Sequence, residues 1–189
     1  MEKRITIMIL CIFATQAFAI DWDERLSAKV REDLKCPAMD ISMETASILG
    51  SKEFAMGANL AVYTFGNDRL DDMANIATLS LGTGAAITTS LKTIINRKRP
   101  LETEEDRSPR WDSSFPSGHA TAAFSTAVSY GLQNKKLMVP LLTGAAIVAF
   151  TRVYLGHHYI IDVIAGAIVG SASAIIIYQF REEIYDNIP

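Results

Sequence analysis

Cysteine is nearly absent from this chain: Cys11 and Cys36 are the only two among 189 residues, and Cys11 sits in an apolar N-terminal run. That scarcity excludes a disulfide framework. No segment alternates with a strand period, so nothing in the pattern asks for a sheet. A basic stripe interleaved with aromatics is also missing, in a chain of net charge -3 with 8% aromatic residues, which removes nucleic acid from the partner classes. There is no internal repeat and no low-complexity tract. The length is that of one domain with a core of its own.

What the chain does have begins at its N-terminus. Glu2, Lys3 and Arg4 precede an apolar run from Ile5 to Phe13, and Ala17 and Ala19 flank Phe18. This is the layout of a secretory signal peptide with a small-residue cleavage site, and the run is short for a membrane span. Residues 1–19 are therefore expected to be a signal peptide, with an uncleaved anchor helix as the alternative. Both readings place the protein in the cell envelope, outside the cytoplasm. Residues 20–52 read as a variable, charged segment broken by Pro37, with no identifiable chemistry. Residues 53–189 read as the helical domain.

Five helices are expected there: Glu53 to Phe65, Asp71 to Lys98, Ser117 to Leu132, Leu137 to Tyr154, and Tyr159 to Phe180. The fold class is all-α, a helical bundle. The last two helices are apolar on nearly every face, and Ile160 to Tyr178 has the length of a membrane span. Gly166, Gly170, Ser171 and Ser173 are small residues that allow close helix contact. A partly embedded or membrane-associated bundle is favoured over a soluble periplasmic one, because so small a soluble domain would have to cover every face of these helices.

Short connections make the helices run up and down. Lys92, Arg99, Ser117, His119, Arg152, His158 and Asp162 then all fall at one pole. Three cations and the free N–H groups of a helix start at Ser117-Gly118-His119 suit a phosphate-like anion. Lys92 and Arg99 would share a face if the helix ran through Arg99. Asp162 lies one turn after His158, close enough to fix its tautomer and leave the other ring nitrogen as a nucleophile. His119 can act as general acid.

These residues resemble the signature motifs of the type 2 phosphatidic acid phosphatase superfamily. The matching pieces are Lys92-(x6)-Arg99-Pro100, Pro116-Ser117-Gly118-His119, and Thr151-Arg152-(x5)-His158-(x3)-Asp162. The superfamily takes in lipid phosphate phosphatases, class A acid phosphatases and vanadium-dependent haloperoxidases. The resemblance implies that His158 forms a phosphohistidine, Asp162 orients it, and His119 protonates the leaving group. It further implies that Lys92, Arg99 and Arg152, with the Ser117 hydroxyl and the Gly118 amide, hold the phosphoryl oxygens. Thr151 stands where Ser is usual.

The expected function is metal-independent hydrolysis of a phosphomonoester or of the terminal phosphate of a lipid diphosphate, with no cofactor, at a site facing the periplasm. The substrate is a phosphorylated lipid or a small phosphomonoester. The alternatives are vanadate-dependent halide oxidation, or an envelope protein that binds phospholipid without turnover. His157 and His158, adjacent on a helix, would point about 100° apart and could not share one metal ion. His157 is expected at the rim. Arg97 and Lys98 are expected to form a solvated or headgroup-facing edge. The acidic loop Leu101 to Phe115 is either a hydrophilic connection or a lid.

Overall fold

The computed structural model describes residues 21–187, so the signal-peptide reading of residues 1–19 lies outside the described residues. Eight helices follow one another, and no strand occurs among the described residues. They are α1 (21–33), α2 (Pro37–Leu49), α3 (Lys52–Phe65), α4 (Asp68–Ile95), α5 (Gly118–Gln133), α6 (Lys135–Tyr154), α7 (Ile160–Gln179) and α8 (Arg181–Asn187).

Local chemistry sets the helix starts. Pro37 opens α2, where its missing N–H costs nothing. Ser51, Asn67 and Asn134 cap α3, α4 and α6 by accepting from the amides of Phe54, Leu70 and Lys136 at 3.1, 3.1 and 3.2 Å. The end of α4 departs from expectation. Asn96 takes a left-handed φ of 51° and donates its amide back to the Lys92 carbonyl, so the helix stops at Ile95. This is a residue type that tolerates that conformation. Arg97, Lys98 and Arg99 therefore lie beyond the helix, and Lys92 and Arg99 do not share a helical face.

The helix α5 is the centre of the bundle, packed on α4, α6 and α7. Glycines set its approach to α7. A Cβ on Gly166 would lie 2.5 Å from the Ser117 carbonyl oxygen, and one on Gly170 would strike the Thr121 carbonyl oxygen. Polar side chains fill much of the interior: Ser80, Thr88, Thr121, Ser125, Ser129 and Ser173 are buried, and the hydroxyls of Thr88 and Thr121 meet at 2.9 Å.

The outer surface is the reverse. In α3 the buried residue is Asn59, whereas Phe54, Met56, Leu60 and Phe65 are exposed. Each large apolar side chain left in water forgoes about 1.5–3 kcal/mol of burial, so such a face belongs in lipid. The helices α6 and α7 are long and apolar enough to cross a membrane, and only 39% and 33% of their most apolar stretches are buried. A core helix of a soluble protein would be mostly covered. The fold is a membrane-associated all-α bundle.

The N-terminal segment is built into this bundle. Val30 of α1 packs against the core formed by Ala120, Val153 and Val163. The Tyr154 hydroxyl, near the end of α6, donates to Asp40 of α2 at 2.7 Å.

Candidate active site

One pole of the bundle holds a cavity of about 370 Å³. Its walls include Lys92 from α4, Arg99 from the stretch after it, Gly118 and His119 from the start of α5, Arg152 from the end of α6, and His157 and His158 from the turn before α7. The convergence expected from helix order is thus present. Ser117 and Asp162 lie behind this wall, both fully buried.

His158 is buried, with its Nδ1 3.7 Å from Asp162 Oδ2 and 3.5 Å from the Ser114 hydroxyl. Asp162 is heavily engaged. Its Oδ2 accepts from the Ser114 hydroxyl at 2.5 Å and from the Tyr159 amide at 2.9 Å. Its Oδ1 accepts from Arg97 at 2.7 Å. The second arm of the Arg97 guanidinium donates to Asp23 of α1 at 2.8 Å, and the guanidinium lies 4.0 Å from the Tyr159 ring centroid. Asp23 in turn accepts from the Ile161 amide at 3.0 Å, and Ser27 accepts from the Ile160 amide at 3.0 Å. Two free N–H groups at the start of α7 are thereby satisfied by α1.

Two expectations need correction here. Arg97 is no solvated edge: it forms an ion pair with the buried Asp162. Nor is the segment 20–52 without a part in the site, since it supplies Asp23, Ser27 and Ser47. The signal that could have found Arg97 was the αL-tolerant Asn96 before it, which frees the chain to turn. Asp23 carried no local signal at all, because its partners are 74 and 138 residues away.

The three cations are held differently. Lys92 is buried and donates to the Ser113 carbonyl, while the Ser113 hydroxyl returns a bond to the Lys92 carbonyl at 2.9 Å. Arg99 is gripped by Asp112, through the carbonyl at 3.2 and 2.9 Å and the carboxylate at 2.7 Å. Arg152 donates to the Ser47 hydroxyl, and its buried Nε has no acceptor among the described residues. An unpaired guanidinium N–H in a cavity wall is costly unless an anion visits it.

Ser117 caps α5, its hydroxyl accepting from the Ala120 amide at 3.4 Å. The Thr151 hydroxyl donates to its own helix at the Val148 carbonyl, 2.7 Å away, so the unusual Thr serves α6. In the 101–115 loop the acids are largely matched by local partners: Glu102 takes the Arg99 amide and Ser108, Glu104 pairs with Lys98, and Asp112 with Arg99. Trp111 is exposed at the cavity edge.

Burial pushes all three histidines down: His158 to about 3, His119 to about 4 and His157 to about 4. The cations add to this, Lys92 and Arg99 against His158, and Arg152 and Arg99 against the other two, while Asp162 opposes it at His158. All three rings are neutral at pH 7 in the unliganded cavity. For a nucleophile that is the working state.

A second hollow of about 540 Å³ lies along the bundle flank. Leu49, Phe54, Val62, Leu141 and Val148 are among its lining residues. The two hollows have neighbouring walls, Glu53 and Ala122 in the first, Phe54 and Ala123 in the second.

A family model described as the PAP2 superfamily matches residues 74–186. Among curated proteins, the undecaprenyl-diphosphatase BcrC of Bacillus subtilis is 27% identical over 126 residues, 65% of each chain. The match therefore spans just under two thirds of that relative's length. Phosphatidylglycerophosphatase B of Bacillus subtilis is 29% identical over 207 aligned positions, 97% of each chain. Among solved structures, Aquifex aeolicus LpxE matches with a TM-score of 0.68 and 25% identity, over 82% of this chain and 93% of that one. A transmembrane PAP2 type phosphatidylglycerolphosphate phosphatase from Bacillus subtilis has the same fold, with a TM-score of 0.71 over 94% of this chain and 96% of that one.

Proposed function

The chain belongs to the PAP2 superfamily, and from that premise we propose that it is a lipid phosphate phosphatase working through a phosphohistidine. The observation that carries this reading is the one cavity in which His119 from the start of α5 and His158 from the turn before α7 meet the cations Lys92, Arg99 and Arg152.

The Nδ1 edge of His158 faces Asp162 and Ser114. The opposite nitrogen, Nε2, attacks phosphorus. Lys92, Arg99 and Arg152 take the equatorial oxygens, with the Gly118 amide at the positive end of α5. His119 gives its proton to the departing oxygen, and the same ring then draws a proton from the water that releases phosphate from His158. Asp162 stabilises the charge that develops on His158 during transfer.

The neutral state of His119 is consistent with this role. Arg152 and Arg99 repel a proton from the unliganded ring, and a bound phosphate monoanion both offsets those charges and brings the proton. No metal enters the scheme. Four cationic side chains in the wall, Lys52, Lys92, Arg99 and Arg152, against two carboxylates, Glu53 and Asp112, leave it net positive and disfavour a metal cation.

The flank hollow supports a lipid. It is apolar, it opens beside the phosphate cavity, and one occupant suits both facts: the hydrocarbon tail of the substrate. A site facing the periplasm follows from the signal-peptide reading of residues 1–19.

The test is phosphate release from purified protein in detergent, using phosphatidylglycerol phosphate and a long-chain isoprenoid diphosphate, with and without chelator. Turnover should survive chelation and vanish in His158→Ala. Chelator-sensitive turnover, or normal turnover without His158, would overturn the mechanism.

A further inference from the structure

Arg97 falls at one of the unspecified positions inside the first motif, Asp23 lies outside all three, and neither lines the cavity. Asp23 is fully buried and Arg97 is largely so. A buried carboxylate and guanidinium are costly to desolvate, and they persist where geometry and hydrogen bonds compensate. Here each arm of Arg97 takes one carboxylate, at 2.7 Å to Asp162 and 2.8 Å to Asp23. The chain also closes on itself: the Arg97 carbonyl accepts from the Ser114 amide at 2.7 Å, and the Ser114 hydroxyl donates to Asp162.

Asp162 is the one carboxylate against His158. The other charged or titratable groups in the cavity that the ring faces are Lys52 and Glu53 from α3, Lys92 from α4, Arg99 and Asp112 from the following stretch, His119 from α5, and Arg152 and His157 from α6 and the turn. An Asp162 without a counter-charge would draw a proton onto His158 and block attack. Arg97 offsets that charge on the side away from the ring.

We propose that Arg97 and Asp23 are positioning residues of the phosphoryl-transfer centre: Asp23 fixes Arg97, and Arg97 fixes Asp162 and balances its charge, so that His158 stays oriented and unprotonated. The helix α1 is on this account a working part of the site, clamped to the start of α7 through Asp23 and Ser27.

The kinetic arm of the test rests on the phosphatase reading, and a spectroscopic arm does not. With an isoprenoid diphosphate in detergent, Arg97→Met should lower kcat about 10- to 100-fold, the usual weight of an outer hydrogen-bond partner, with KM little changed. The acid limb of kcat/KM should move to higher pH, because loss of the cation raises the His158 pKa. Arg97→Lys keeps the charge and should restore the limb, with partial recovery of kcat. Asp23→Asn should give a smaller fall in kcat, and adding it to Arg97→Met should cost little more, since it acts through Arg97. In parallel, NMR titration of labelled imidazoles, only three in the chain, should show His158 protonating at higher pH in Arg97→Met and not in Arg97→Lys. An unshifted His158 titration in Arg97→Met overturns the inference, whether or not the protein turns over. So does a fall in kcat with an unmoved limb that Lys does not rescue. A wild-type protein that releases no phosphate, with His158 shifted as expected, removes the functional reading and leaves the positioning role standing.

Discussion

The two hollows have neighbouring walls and opposite chemistry. The charged groups of the polar one come from four helix termini, the starts of α3 and α5 and the ends of α4 and α6, with their flanking turns; the apolar one is walled chiefly by α3, α5 and α6, with the end of α2. The helix α5 contributes to both, with Gly118 and His119 at its start and Ala127 and Tyr130 two to three turns further on. Helix ends supply unpaired N–H groups and turning chain, which fix phosphate and histidine geometry. Helix middles have their backbone satisfied and can offer only side chains, which in lipid means apolar ones. Position along α5 therefore divides the polar cavity from the apolar flank hollow.

The comparison can be broken hardest at the polar end. On the proposed mechanism His158→Ala should abolish turnover, and His119→Ala should cost about 10²- to 10⁴-fold in kcat. Single-turnover phosphate release measures both. Neither change should weaken retention of the lipid by the flank hollow, measured by co-purification.

Next in size is the α5–α7 contact that holds both hollows in place. Gly166→Ala puts a methyl against the Ser117 carbonyl, and overpacking of this kind costs about 1–3 kcal/mol. The thermal midpoint in detergent should fall, and activity should fall further than stability does, because Ser117 caps the helix that carries His119. Gly57→Ala, with open space around its Cβ, should change neither.

The pH dependence has a definite sign. Folded His158 and His119 protonate only near 3 and 4, below the usual value of 6.5, so the unfolded chain takes up more protons beneath about pH 6.5. Stability contributed by the neutral rings is complete above 6.5 and is lost progressively as pH falls to about 4 for His119 and about 3 for His158. For catalysis the descending limb lies on the alkaline side, where a phosphomonoester loses its last proton near pH ~6 and can no longer supply His119. A kcat/KM maximum on the acid side of neutrality is expected, and a profile still rising through pH 8 would refute proton delivery by the substrate.

The smallest effect concerns the apolar flank. Ala127→Phe should raise KM several-fold for a long-chain lipid phosphate while leaving a short water-soluble phosphomonoester unaffected. Equal effects on both substrates would remove the tail from that hollow.

Much of this was legible in the sequence, for identifiable reasons. Helices that end at Pro, Asn and Gly, with functional residues beside those ends, announce their own convergence, and helix order alone gathers Lys92, Arg99, Ser117, His119, Arg152, His158 and Asp162 at one pole. Local signals reach only a few residues. The Asn96 turn that ends α4 was readable in principle but was overridden by apparent helical continuity through Lys98. Asp23 and Ser47 were beyond reach, since a short polar residue in a charged segment gives no sign that it will be buried against Arg97 or Arg152. Thr151 looked like a change in the site and is spent on its own helix.

Asp112 has a further consequence. It holds Arg99 through both its carbonyl and its carboxylate, so the cavity contains an anion of its own before any substrate arrives. On the proposed mechanism, a clamp of bare cations would keep inorganic phosphate after the bond to His158 is cut, and the second half of the cycle would stall on its product. With a resident carboxylate ready to reclaim Arg99, the departing phosphate is exchanged for a group that never leaves. On that mechanism the pairing bears on turnover number more than on affinity.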